Sequence, residues 1–165
     1  MMAGEDQQHS AGVPRPNPWA APLRGAAIAA GLLEEACAAG AGDPLRLEVV
    51  RTLARGLAGE LRALSVLADA ETGAVEGALR AADLANLAAC LVPELTEARV
   101  AEAAAAAYQA AGAARALCVL AEAGMAGTGA SSGKYALNAL GDLRGAAWRA
   151  RLAVRHMDEF FEGEG

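Results

Sequence analysis

Leu140, Leu143, Ala147, Ala150, Val154, Met157 and Phe161 are separated alternately by three and four residues, the spacing that lays side chains along one stripe of an α-helix. A stripe of that length needs a partner surface, so residues 131–161 predict a long helix packed against others. Ser131 or Ser132 is placed to cap its start and Gly163 to end it. Beside the apolar seam run Arg144, Trp148, Arg151 and Arg155, again three or four apart. They read either as a solvated face whose aliphatic stems lie on the seam or as an anion-binding wall.

The rest of the chain repeats this pattern with smaller side chains. Val50, Leu53, Leu57, Leu61, Leu64 and Ala68 mark one stripe, and Val100, Ala103, Ala107, Ala110, Ala114, Leu117 and Ala121 another. The composition is 55% hydrophobic but only 4% aromatic, with alanine supplying much of the apolar count. Alanine loses no side-chain entropy in a helix, so the expected fold is all-α. Each buried methylene contributes about 0.8 kcal/mol, so a core of small side chains calls for close helix approach or a second subunit. The expectation is a bundle of four main helices over residues 23–39, 44–91, 96–124 and 131–161, paired as a homodimer through small-residue seams. The second helix carries interruptions near 69–71, and Gly56, Gly59, Gly73 and Gly77 are expected to admit a neighbouring helix closely. Residues 18–22 form an extended lead-in, Asp43-Pro44 restarts a helix, and Thr96-Glu97 opens the third.

Domain limits follow from the same composition. Residues 1–17 are polar, with Pro14 and Pro16, and read as a disordered tail; 18–161 form one helical domain, and 162–165 a short C-terminal tail. The net charge is −6, yet from Lys134 to His156 there are 5 basic residues and 1 acidic one. A single short cationic flank on an acidic chain suits a small anion, not nucleic acid. Cys37, Cys90 and Cys118 form no C-x-x-C pair and read as buried apolar groups in a reducing, cytoplasmic setting, with no metal. The first 17 residues lack a signal peptide's apolar core, and Glu34 and Glu35 interrupt the most alanine-rich early helix, so no membrane contact is expected.

One stretch combines the features of a binding site. Gly124-Met-Ala-Gly127-Thr-Gly129-Ala-Ser131-Ser132-Gly133 is a glycine-rich turn running into a helix N-terminus, with Lys134 in the first turn after it. Free N–H groups and the dipole at such a start attract negative charge. The turn lacks the G-K-[ST] ending of a P-loop and follows no strand, so a plain interhelical connection is the competing reading.

Three stretches in order resemble the C-terminal family of formiminotransferase-cyclodeaminase, which includes stand-alone methenyltetrahydrofolate cyclohydrolases. In residues 67–79 an acid, Glu71, stands four before Val75, where the family has an aromatic residue. Val92-Pro93 precedes an alanine-rich helix, and residues 124–145 align without a gap, keeping the glycines at 124, 133 and 145 and Arg144. The resemblance spans about 18–157. It departs where the family has a P-G-G-G-S turn, here Pro18-Trp-Ala-Ala-Pro22, and where a loop Ser-Asp is Ala130-Ser131.

The resemblance implies a protein of one-carbon folate metabolism that acts on formimino- or methenyl-tetrahydrofolate as substrate, with no cofactor. Either reaction passes through a tetrahedral carbon between two nitrogens and needs a group to carry protons. Glu71 is the acid or base it implies, with Ser131 beside it. Gly127, Gly129, Ser132 and Gly133 would approach the substrate through the backbone, Lys134 would meet a folate carboxylate, and Arg144 and Arg151 the anionic glutamate tail. The alternative is a relative without catalysis, serving as a helical dimer or small-molecule-binding module. The histidines supply neither the Glu-x-x-His pairs of a di-metal bundle nor a Ser-His-Asp set.

Overall fold

Asn17 begins the first helix: its side-chain oxygen accepts the Trp19 amide at 3.0 Å and its carbonyl the Ala20 amide at 3.2 Å. A computed structural model describes residues 17–38, 42–66, 70–127 and 133–163 of the chain; the side chains of Ala70 and Glu71 are outside that description. Among the described residues there are five α-helices and no strands: α1 (Ala20–Ala38), α2 (Pro44–Val66), α3 (Ala70–Leu91), α4 (Glu97–Gly127) and α5 (Lys134–Gly163). A single 3-10 turn, Val92–Glu94, joins α3 to α4. The 18–22 lead-in is shorter than expected, because Pro22 sits in the first turn of α1, where no amide partner is needed.

The fold is all-α, as the composition predicts, but the expected second helix is two. Arg80 Nε meets Glu60 at 2.5 Å and Gly73 faces the carbonyl of Leu64, so α3 runs back antiparallel to α2. A continuous helix over 44–91 would be about 70 Å long at 1.5 Å per residue, far beyond any partner face here. Asp43 Oδ1 accepts the Leu45 amide at 3.1 Å and Thr96 O the Arg99 amide at 2.8 Å, so both helix starts fall where the sequence puts them. The capping of α5 by Ser131 or Ser132 lies outside the described residues, as do Ala68 and Gly129.

α1 to α4 close into an up-down-up-down ring, and α5 lies in the outer groove between α3 and α4. α4 is the centre, packing on α1, α3 and α5. Its seam from Ala103 to Ala121 is buried throughout, so the small residues expected to pair two subunits are used inside one. α4 is also long and apolar enough by composition to cross a membrane, and 56% of its apolar 18-residue stretch is buried among its neighbours. On α5 the buried line is Leu143, Ala146, Ala150, Ala153 and Met157; Leu143, Ala150 and Met157 belong to the expected seam, Leu140, Ala147 and Val154 are half-buried against the core, and Phe161 is exposed.

The glycines divide. A β-carbon at Gly77 would fall 2.3 Å from Leu23 Cδ2, so α1 presses on α3 there, whereas Gly56 and Gly59 face open space and do not admit a helix. Leu53, expected in the core, is 51% exposed because α2 buries Leu47, Val50, Ala54, Ala58 and Leu61 instead.

Polar contacts sit on the rim. Glu34 of α1 accepts two hydrogen bonds from Arg55 of α2, and Asp83 of α3 pairs with Arg149 of α5 at 2.9 Å. Tyr108 of α4 donates to Asp158 of α5 at 2.6 Å; this bond, with burial and the nearby charge, pushes its phenol up to about 12. The proton is held more tightly in the folded state, so the stabilisation is intact below the unfolded value of about 10 and is lost as pH rises toward 12. Tyr108 is 38% exposed, which keeps the effect small. Tyr108→Phe is expected to flatten the loss of melting temperature across that alkaline window, as thermal melts at a series of pH values will read.

Candidate functional site

The start of α5 is fixed against the start of α3. The hydroxyls of Thr72 and Tyr135 lie 3.4 Å apart, and further along Asn86 Nδ2 donates to the carbonyl of Arg149 at 3.3 Å. Both contacts join residues 63 apart in sequence, so the two helices run parallel in constant register. α1 runs the same way, with Leu23 on Gly77. Three helix N-termini therefore share one end of the bundle, and their dipoles put partial positive charge there.

That end collects the separate stretches singled out in sequence. Pro18 to Pro22 lead into α1, Glu71 is in the first turn of α3, and Gly127, Gly133 and Lys134 flank the glycine-rich turn between α4 and α5. Gly127 is the last residue of α4, not part of the loop, and a β-carbon at Gly127 or Gly133 would meet nothing within 4 Å. Lys134 is exposed. Gly129, Ser131 and Ser132 lie outside the described residues, as does the side chain of Glu71. Val75, at the family's aromatic position, is buried in the core at 8% exposure.

The arginine stripe on α5 forms as predicted, with Arg144, Trp148, Arg151 and Arg155 all exposed. Its members differ in what they face. Arg155 is held by Glu159 at 2.7 Å. Arg151 lines a groove of about 350 Å³ between α4 and α5 with Arg115, Val119 and Glu122, over Cys118 and Ala147; Arg144 is outside it. Neither Arg115 nor Arg151 has an ion pair with another described residue. At 1.5 Å per residue Arg144 stands about 15 Å and Arg151 about 26 Å along the axis from Lys134.

Sequence reasoning missed Arg115. It is the one cation between Arg99 and Lys134, off the alanine seam by two helix positions, and only the antiparallel docking of α5 places it near Arg151. The groove floor is inert: Cys118 Sγ contacts the Leu143 carbonyl at 3.4 Å, and burial pushes its thiol up, as it does for Cys37. Cys90, expected inside, is exposed because it lies on the outer edge of α3. Among the described residues no three His, Cys, Asp or Glu side chains gather as a metal site. No protein-family model matches the chain, and no curated protein matches its sequence.

Proposed function

We propose that the chain is a divergent protein of the cyclodeaminase/cyclohydrolase type, acting on formimino- or methenyl-tetrahydrofolate at the end of the bundle where α1, α3 and α5 begin. The observation that carries this reading is the Thr72 to Tyr135 contact, which sets the first turn of α3 beside the exit of the glycine-rich turn. Glu71 then serves as the acid or base for water addition at the bridging carbon and for protonation of the departing nitrogen. By the family resemblance, Ser131 would orient the water, Gly127, Gly129, Ser132 and Gly133 would bind the substrate ring, and Lys134 the first carboxylate.

The cationic positions beyond Lys134 take the glutamate tail in order of distance. Arg144, about 15 Å along α5, suits a short tail, and Arg151 with Arg115 suits added glutamates. Calorimetry is expected to show Arg151→Ala weakening polyglutamylated folate by about tenfold, the scale of one charge-assisted contact, with little change for monoglutamate. Equal losses for both ligands reject the role. The reading as a whole is tested by spectroscopic assay of methenyltetrahydrofolate hydrolysis with purified protein; a rate equal to the uncatalysed one, with no folate binding, rejects it.

A second reading is a relative without catalysis that binds a small anion or assembles as a helical dimer. It is favoured by the lack of any buried polar or charged side chain among the described residues, which leaves no shielded acid or base there. A face free for pairing among the described residues is the outer side of α2, where Leu45, Val49 and Leu53 are 75%, 51% and 51% exposed. Light scattering is expected to give a dimer for the wild type and a monomer for Val49→Arg; a wild-type monomer removes the pairing.

A further inference from the structure

The other end of the bundle holds a second cluster that the folate reading does not use. A groove of about 520 Å³ is walled by Cys90 of α3 and His156 of α5, with Pro93, Met157 and Phe160 as its apolar floor and Arg46 and Glu159 at the rim. Cys90 is the exposed thiol of the three, whereas burial pushes the thiols of Cys37 and Cys118 up and keeps them protonated. The thiol does not stand alone. Asp83 and Arg149 meet at 2.9 Å across the parallel α3 and α5. Seven residues further on each helix, two turns along the same faces, stand Cys90 and His156, with the same separation of 66 in sequence as that pair.

The rim charges are balanced. Arg46 of α2 is paired with Glu94 at 2.5 Å, and Glu159 accepts from Arg155 at 2.7 Å, so the imidazole is the one titratable neighbour of the thiol without an ion pair among the described residues. A thiol and an imidazole without an ion pair, lining one groove with apolar side chains, form an arrangement that reacts with soft electrophiles.

We propose that Cys90 is a thiolation site, served by His156 as base, that exchanges with small disulfides whose apolar body lies on Pro93, Met157 and Phe160. In the step, the Cys90 proton passes to a nitrogen of His156 and the sulfur attacks one sulfur of the disulfide. The S–S bond breaks, and the leaving thiolate carries away the electron pair. Cys90 is oxidised to the mixed disulfide and the leaving half is reduced, so the disulfide is the only co-reactant.

The test uses the full chain in native buffer with dithiodipyridine as the probe, following release of thiopyridone. One thiol per chain is expected to react in a fast phase, faster than the thiol of N-acetylcysteine, and that phase is absent in Cys90→Ser. His156→Gln is expected to slow it by about tenfold or more, the lower range for a positioned base, while helicity by circular dichroism stays unchanged. A fast phase that persists in Cys90→Ser, or a His156→Gln rate equal to wild type, overturns the proposal. Both residues are exposed, so neither substitution removes core packing.

Discussion

Replacing Leu23 by alanine is expected to lower the free energy of unfolding by about 2–5 kcal/mol, the range for emptying a fully buried leucine site. Leu23 is 1% exposed and reaches from α1 across Gly77 of α3 toward Leu117 of α4. In a core made mostly of alanine methyls, this is one of few large side chains joining three helices. Gly77→Ala alone places a methyl 2.3 Å from Leu23 Cδ2 and 3.4 Å from Leu117 Cδ1. That overlap costs about 1–3 kcal/mol, partly offset by the roughly 1 kcal/mol gained in helix propensity. In the Leu23→Ala background the same methyl enters vacated space, so Gly77→Ala changes sign and becomes stabilising. Urea unfolding of the four proteins reads the cycle. Strictly additive effects mean that the α1–α3 contact does not set the packing there.

Glu71→Gln is expected to reduce methenyltetrahydrofolate turnover by about 10²- to 10⁴-fold, the usual contribution of a positioned proton carrier. Glutamine keeps the size and loses the charge, so calorimetric folate binding should change little, which separates chemistry from binding. Tyr135→Phe is the control. It removes one partner of an exposed hydroxyl pair 3.4 Å apart, worth under about 1 kcal/mol, and should leave most turnover intact. A Glu71→Gln enzyme as fast as the wild type takes the acid–base role from this residue.

Some of the molecule was legible before any coordinates. The α5 stripe, the Asp43-Pro44 and Thr96 helix starts and the α4 seam all follow from periodicity and capping chemistry, which act within a few residues and so are written locally. Along α5 the seam holds at Leu143, Ala150 and Met157, while Ala146 and Ala153 are buried more deeply than the expected Ala147 and Val154, because a run rich in alanine offers several stripes of nearly equal apolarity. Leu53 and Cys90 were misplaced for a related reason. Both line open grooves, Leu53 between α2 and α3 and Cys90 between α3 and α5, that the neighbouring helices do not fill.

The candidate sites were less legible. Glu71, the glycine-rich turn and the arginine stripe are each visible as local patterns. The sharing of one groove by Arg115 and Arg151, and of another by Cys90 and His156, depends on the register of helices far apart in sequence. No local spacing carries that information.

The sequence alone determined that this chain is helical, where α2 and α4 begin, and that positive charge concentrates on the last helix. Those properties arise from alanine's propensity, capping side chains and composition. Tertiary structure alone decided that the 44–91 segment folds back on itself, that α4 spends its alanine seam inside the bundle, and that the starts of α1, α3 and α5 share one end. The physical reason is that alanine stripes are interchangeable partners, and the few large contacts, such as Leu23 on Gly77, choose which stripes meet.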